Sequence, residues 1–105
     1  MLVGQGDVIA RFIGGHSVTV DFVDHYRQSG ADFDYGSESR WIRDEGYAAI
    51  LGTALKDGLA KLGVDGASVT RSIIAVPVKG VPELLAKKAG LNPDSCVDPM
   101  MAIVG

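Results

Sequence analysis

Residues 42–62 carry the strongest constraint in the chain: Leu51, Leu55, Leu59 and Leu62 recur at spacings of four, four and three, with Ala48, Ala49, Ile50 and Ala54 beside them. That is a helical period, and it amounts to about 31 Å of helix at 1.5 Å per residue. The same stretch holds Gly46, Gly52 and Gly58, each of which costs about 1 kcal/mol relative to Ala in an isolated helix. The helix therefore forms only where tertiary packing offsets its glycines. Small residues let another backbone approach closely, so the pattern predicts a helix lying tight against a sheet or a second helix. Lys56, Asp57 and Lys61 mark its solvated side, and Gly63 is its stop.

On either side of this helix the periodicity changes. Residues 7–20 are rich in β-branched positions, with Val8, Ile9, Phe12, Ile13, Val18 and Val20 interrupted by Gly14-Gly15, which predicts a strand that bends or bulges at the glycines. Residues 21–40 are polar but hold Phe22, Tyr26, Phe33 and Tyr35, too many aromatics for a disordered linker and enough to anchor an ordered connection. Ser72-Ile73-Ile74-Ala75-Val76-Pro77-Val78 reads as a buried strand ending at its proline. A short helix with Leu84, Leu85 and Ala89 follows, set between Pro82 and Gly90. Asn92-Pro93-Asp94 turns the chain, and residues 100–104 begin a last apolar element. Strand, helix, strand, helix, strand predicts an α/β fold with a mostly parallel sheet and right-handed crossovers.

Both ends are apolar, Met1-Leu2-Val3-Gly4 and Met100-Met101-Ala102-Ile103-Val104-Gly105. Domains usually end in surface residues, so the expectation is one domain fragment, residues 1–105, belonging to a larger α/β protein. Severed apolar strands favour pairing, which makes a homo-oligomer the expected state. The ten Lys and Arg are scattered among thirteen Asp and Glu, for a net charge of −3, so the basic footprint of a nucleic-acid binder is missing. No apolar run has the length of a membrane helix, and the N-terminus lacks the pattern of a secretory signal. A single Cys leaves no internal disulfide, and a cytoplasmic location is the default expectation.

The run Val20-Asp21-Phe22-Val23-Asp24-His25-Tyr26-Arg27, with Glu45-Gly46-Tyr47 opening the long Ala/Leu helix, resembles the middle of the hydroxymethylglutaryl-CoA synthase and 3-oxoacyl-carrier-protein synthase III branch of the thiolase-like superfamily. The stretch from Ser72 to Pro77, followed by a helix closing on Lys87-Lys88-Ala89-Gly90-Leu91, is similar to the strand that delivers that family's catalytic His and the helix after it. Met101-Ala102-Ile103-Val104-Gly105 resembles the approach to its Gly-Asn-Thr-Gly turn.

The resemblance implies a thiolase-like fold, with residues 1–20 as the end strand of a first half, 21–41 as the connection and 42–105 as the start of a second half. It also implies Claisen chemistry on acyl-CoA or another acyl thioester, with CoA as the substrate's carrier and no cofactor. In that chemistry a Cys thiolate carries the acyl group, and donors stabilise the thioester enolate. The nucleophilic Cys would lie before Met1 and the Asn just after Gly105. Val78-Lys79-Gly80 stands where the family's His would follow Pro77, and no His occurs after His25. The isolated chain is expected to be inactive. The alternatives are a non-catalytic thiolase-like partner subunit and a small α/β binding domain.

Few side chains offer chemistry. Lys79, at the end of the expected buried strand, is the candidate substrate-binding residue, because ligands gather beyond the carboxyl ends of parallel strands; the competing reading is a solvated turn lysine. Cys96 lies between Asp94-Ser95 and Val97-Asp98, where nearby acids oppose a thiolate, and reads as a structural thiol. His16 and His25, with Asp21 and Asp24, offer acid–base and ligand groups in no recognised zinc spacing, and read as polar anchors. Gly14-Gly15 is too short for a phosphate loop. Trp41 reads as a packing anchor.

Overall fold

The computed structural model describes residues 3–100 and 103. Its central element begins one turn earlier than the leucine period shows. The Glu38 carboxylate accepts hydrogen bonds from the backbone N–H groups of Arg40 (2.9 Å) and Trp41 (2.8 Å), supplying partners for donors that a helix start leaves open. Helix α1 (Ser39–Trp41) runs into a wider π-helical stretch, Ile42–Leu51, and then into α2 (Gly52–Leu62). At the far end Gly63 turns left-handed (φ 65°), and the Val64 N–H reaches back to the Leu59 carbonyl at 3.0 Å. Closing a helix this way needs a residue that tolerates positive φ.

Helix α3 (Val81–Ala89) uses the same device, with Gly90 at φ 79° and the Leu91 N–H donating to the Ala86 carbonyl at 2.9 Å. It supplies the most deeply buried side chains, Leu85 (0% exposed) and Val81 (2%). Around them lie Ile74, Val76, Ala86, Ala89 and Leu91, with Tyr47, Leu51, Leu55 and Leu59 packing from the long helix. The predicted stripe thus faces the core at three of its four leucines. Leu62 instead meets Gly14, at the bend in residues 7–20.

Each helical glycine receives a neighbour. A Cβ on Gly46 would fall 2.8 Å from the Phe22 ring, one on Gly52 would lie 3.4 Å from Lys88 and 3.8 Å from Leu85, and one on Gly58 would lie 3.3 Å from His16. Close approach to a second helix, α3, is therefore found at Gly52. At Gly46 and Gly58 the incoming group is a side chain from residues 7–24.

The parallel α/β sheet is not found. The described residues contain a two-stranded antiparallel sheet, β1 (His25–Tyr26) with β2 (Tyr35–Gly36), in the register His25↔Gly36 and Tyr26↔Tyr35. One parallel bridge, Ser72↔Cys96, lies outside it. Together with one long helix and one short one, this overturns the thiolase-like, mostly parallel architecture implied by the resemblance. The physical reason lies in backbone pairing. Ser72 exchanges bonds with the chain at residues 95 and 97, but the Val76 N–H then turns back to the Ile74 carbonyl at 3.0 Å, and Pro77 has no N–H to offer. Residues 7–20 form no strand, bend at Asp7 and Ile9, and make no main-chain bond to the rest of the described chain. Of the expected last strand, Met101, Ala102 and Val104 lie outside the described residues. Met100 has φ 58°, outside the extended region of a strand, and the Ile103 N–H donates to its carbonyl at 2.9 Å.

Two glycines make opposite tests of this packing. A Cβ on Gly66 would sit 2.6 Å from the Gly90 carbonyl oxygen, a backbone atom that cannot swing away, so Gly66→Ala is expected to cost roughly 1–3 kcal/mol through overpacking. Gly52→Ala meets only ordinary contacts, 3.4 Å or longer, and recovers up to about 1 kcal/mol of helix propensity. Urea unfolding should show the first variant weakened and the second unchanged or strengthened.

Candidate functional site

The Ser72↔Cys96 bridge brings together the few groups with chemical capacity in the second half of the chain, apart from Lys79. The bridge at Ser72 places three polar side chains beneath the start of α3. The hydroxyls of Ser72 and Ser95 lie 3.0 Å apart, the Ser72 Oγ donates to Cys96 Sγ at 3.5 Å, and the thiol faces the Pro82 carbonyl at 3.8 Å. Ser95 is buried and Cys96 is half-buried. These partners are hydroxyl and carbonyl oxygens, none of them a base able to take the thiol proton. Cys96 is a packed thiol filling the foot of α3, as its sequence context indicates. No sequence signal could have joined Ser72 to Ser95, because they are 23 residues apart and a short parallel bridge leaves no periodicity.

Lys79 lies in the turn immediately before Gly80, whose φ of 80° opens α3. It is exposed. The Ser72 end of the segment is its paired end, and beyond Val76 the chain leaves the pairing line, so Lys79 is carried by a turn and not by the carboxyl edge of a sheet.

The two histidines are separated. His16 packs by its side chain over Gly58 of α2. His25, on β1, places Nδ1 3.2 Å from Asp24 Oδ1. Among the four residues weighed together, this brings Asp24 and His25 into contact and leaves His16 on another element. Hydrogen bonding from His25, aided by its charge, holds the Asp24 carboxyl below the usual aspartate range. Both groups are solvent-exposed. Among the described residues no group of three or more His, Cys, Asp or Glu side chains is placed to hold a metal ion.

Trp41 stacks on Phe22 with ring centroids 4.4 Å apart and planes 15° from parallel, which is the packing role expected of it. Beside this stack lies an apolar recess of about 160 Å³, lined by Phe22, Ile42, Gly46, Tyr47 and Ile50 with Asp24 at the rim. It falls below the roughly 300 Å³ at which small-molecule pockets begin. A side chain that sequence reasoning missed is Lys88. Its Nζ donates to the Ala48 carbonyl at 3.1 Å while its stem crosses Gly52. The close approach expected at the glycines was the available clue, but it did not say which residue would arrive.

A scan against protein-family models and searches of characterised proteins and of solved structures find no match to this chain.

The Asp24–His25 pair makes a titration test. Because the folded carboxyl is depressed, its contribution is fully present above the unfolded aspartate value and is lost as pH falls through the lower folded value. Carboxyl chemical shifts followed by NMR should place Asp24 below a free aspartate, and His25→Ala should move it back up.

Proposed function

We propose that the chain is a segment of an acyl-thioester condensing protein, similar in activity to hydroxymethylglutaryl-CoA synthase and 3-oxoacyl-carrier-protein synthase III, and that it is inactive by itself. The observation that carries this reading is the order around the candidate turn. The Ser72-Ile73-Ile74-Ala75-Val76-Pro77 segment leads through Val78-Lys79-Gly80 into α3, which closes on Lys87-Lys88-Ala89-Gly90-Leu91 with Gly90 as a left-handed cap. These are the residues on which the sequence resemblance rests; α3 with its Gly90 closure and the helical setting of Glu45-Gly46-Tyr47 support the reading, whereas residues 72–77 form no strand beyond the bridge at Ser72.

In this reading the 105 residues supply a helical scaffold and Lys79, an exposed cation for the phosphates of an acyl-CoA. The acyl-carrying Cys and the enolate-stabilising Asn are supplied from outside them. Condensation needs a thiolate nucleophile and positioned oxyanion donors. Cys96, hydrogen-bonded to a hydroxyl and facing a carbonyl, is built for neither task. Val78-Lys79 in place of the family's His favours a second reading, a non-catalytic partner subunit of such an enzyme.

The purified chain, incubated with short-chain acyl-CoAs, should release no free CoA thiol above the buffer rate. The product of the gene region that includes an upstream Cys should release it, with Lys79→Ala raising KM several-fold and leaving kcat unchanged. Thiol release by the chain alone would contradict the scaffold role. A longer product with the Cys present and no release would leave the partner-subunit reading, and no such Cys together with no acyl-CoA binding would remove the condensing assignment altogether.

A further inference from the structure

Phe22 and the π-helical stretch enclose the apolar recess of about 160 Å³, and one carboxylate, that of Asp24, stands at its rim. The walls are fixed by packing already described. Trp41 stacks on Phe22 and holds that ring in place. Ile42, Tyr47 and Ile50 form the helical side, and Gly46 lines the recess without a side chain, where a Cβ would crowd the Phe22 ring at 2.8 Å. The volume is too small for a whole substrate or cofactor. It suits a single side chain, since an apolar cavity of roughly 150 Å³ holds one six-carbon ring.

Charge decides which side chain. Asp24 is 45% exposed, and the hydrogen bond from His25 holds its carboxyl below the usual aspartate range, so the rim is anionic at neutral pH. Around it, residues 21–40 carry five acids against two arginines, which gives −3, the net charge of the whole chain. An apolar slot in an anionic field selects a cation on an aliphatic stem. Lysine and arginine both offer one. An arginine fork takes both oxygens of a carboxylate, however, and Oδ1 of Asp24 already faces His25 Nδ1 at 3.2 Å. The compact ammonium of lysine needs only one oxygen.

We propose that this recess is the docking point for a lysine side chain of a partner protein, with the four-carbon stem between Phe22, Tyr47 and Ile50 and the ammonium against Asp24. The aromatic walls add to the attraction for a cation. The acidic surroundings steer a basic partner segment toward the recess. This site does not rest on the condensing-protein reading, whose ligand, an acyl-CoA, is anionic, and it is tested without CoA.

The test titrates the full chain with the capped tripeptide Ala-Lys-Ala and follows the NMR spectrum. Two further peptides carry arginine or norleucine in the middle; norleucine keeps the four carbons and lacks the ammonium. The lysine peptide should move the Phe22, Tyr47 and Ile50 resonances saturably, with a dissociation constant in the millimolar range. Norleucine should bind roughly threefold to fivefold more weakly, the worth of one exposed ion pair, and arginine more weakly than lysine. Asp24→Asn should lower lysine to the norleucine value, whereas Asp21→Asn, which removes an acid outside the recess, should keep the preference. Absence of saturable shifts, shifts centred on other residues, or equal binding of lysine and norleucine would each overturn the proposal. So would arginine binding as tightly as lysine, a preference that survives Asp24→Asn, or one that Asp21→Asn also abolishes. An Asp24→Asn chain without the helical circular dichroism of the parent is replaced by Asp24→Ser and judged by the same outcomes.

Discussion

The seating of α3 across the flank of α2 at Gly52 holds this molecule together. Leu85, with no exposed surface, reaches toward the place a Gly52 side chain would occupy, and Lys88 lays its stem over the same spot. A methyl at position 52 would still meet Lys88 and Leu85 at ordinary contact distance, but a side chain longer than that would hold the helices further apart, and Ile74 and Val76 would lose the wall they pack against. The Lys88 ammonium adds direction to the contact by donating to the Ala48 carbonyl, a bond that joins α3 to the π-helical stretch before α2.

That packing leaves the first third of the chain differently supported. Residues 21–41 are secured by stacking, Phe22 on Trp41 and Tyr26 on Tyr35, and by the small antiparallel pairing at His25 and Tyr26. Residues 7–20 have side-chain anchors at Gly14 and His16 only on one flank of α2, while their main chain runs unpaired. The chemistry follows the same division. Groups that reach one another do so to hold segments in place: the hydroxyls of Ser72 and Ser95 beside Cys96, Glu38 at the helix start, and Asp24 with His25. The exposed Lys79 belongs to the turn that leads into α3 and to no such set.

Much of the local structure was legible in the chain because it depends on neighbours a few residues apart. The leucine spacing, Pro82 near the start of α3, and Gly63 and Gly90 as left-handed closures act within one or two turns of helix, and each is where its sequence context places it. The early start at Ser39 also has a local cause, the Glu38 carboxylate over the next N–H groups, although Glu is an uncommon cap and no period announces it. The sheet was not legible in the same way. An apolar β-branched run states that a segment is suited to extended pairing, and it is silent about whether a partner lies beside it.

What these 105 residues determine by themselves is therefore the helices, their left-handed glycine closures, and the need for a close neighbour at the glycines. Only the tertiary structure decided the identity of each neighbour: Phe22 at Gly46, α3 at Gly52, His16 at Gly58, and Ser95 beside Ser72. Helix periodicity is enforced by bonds between residues close in sequence, whereas these meetings, like every strand pairing, join residues far apart along the chain, and the pattern of one segment carries no record of the other.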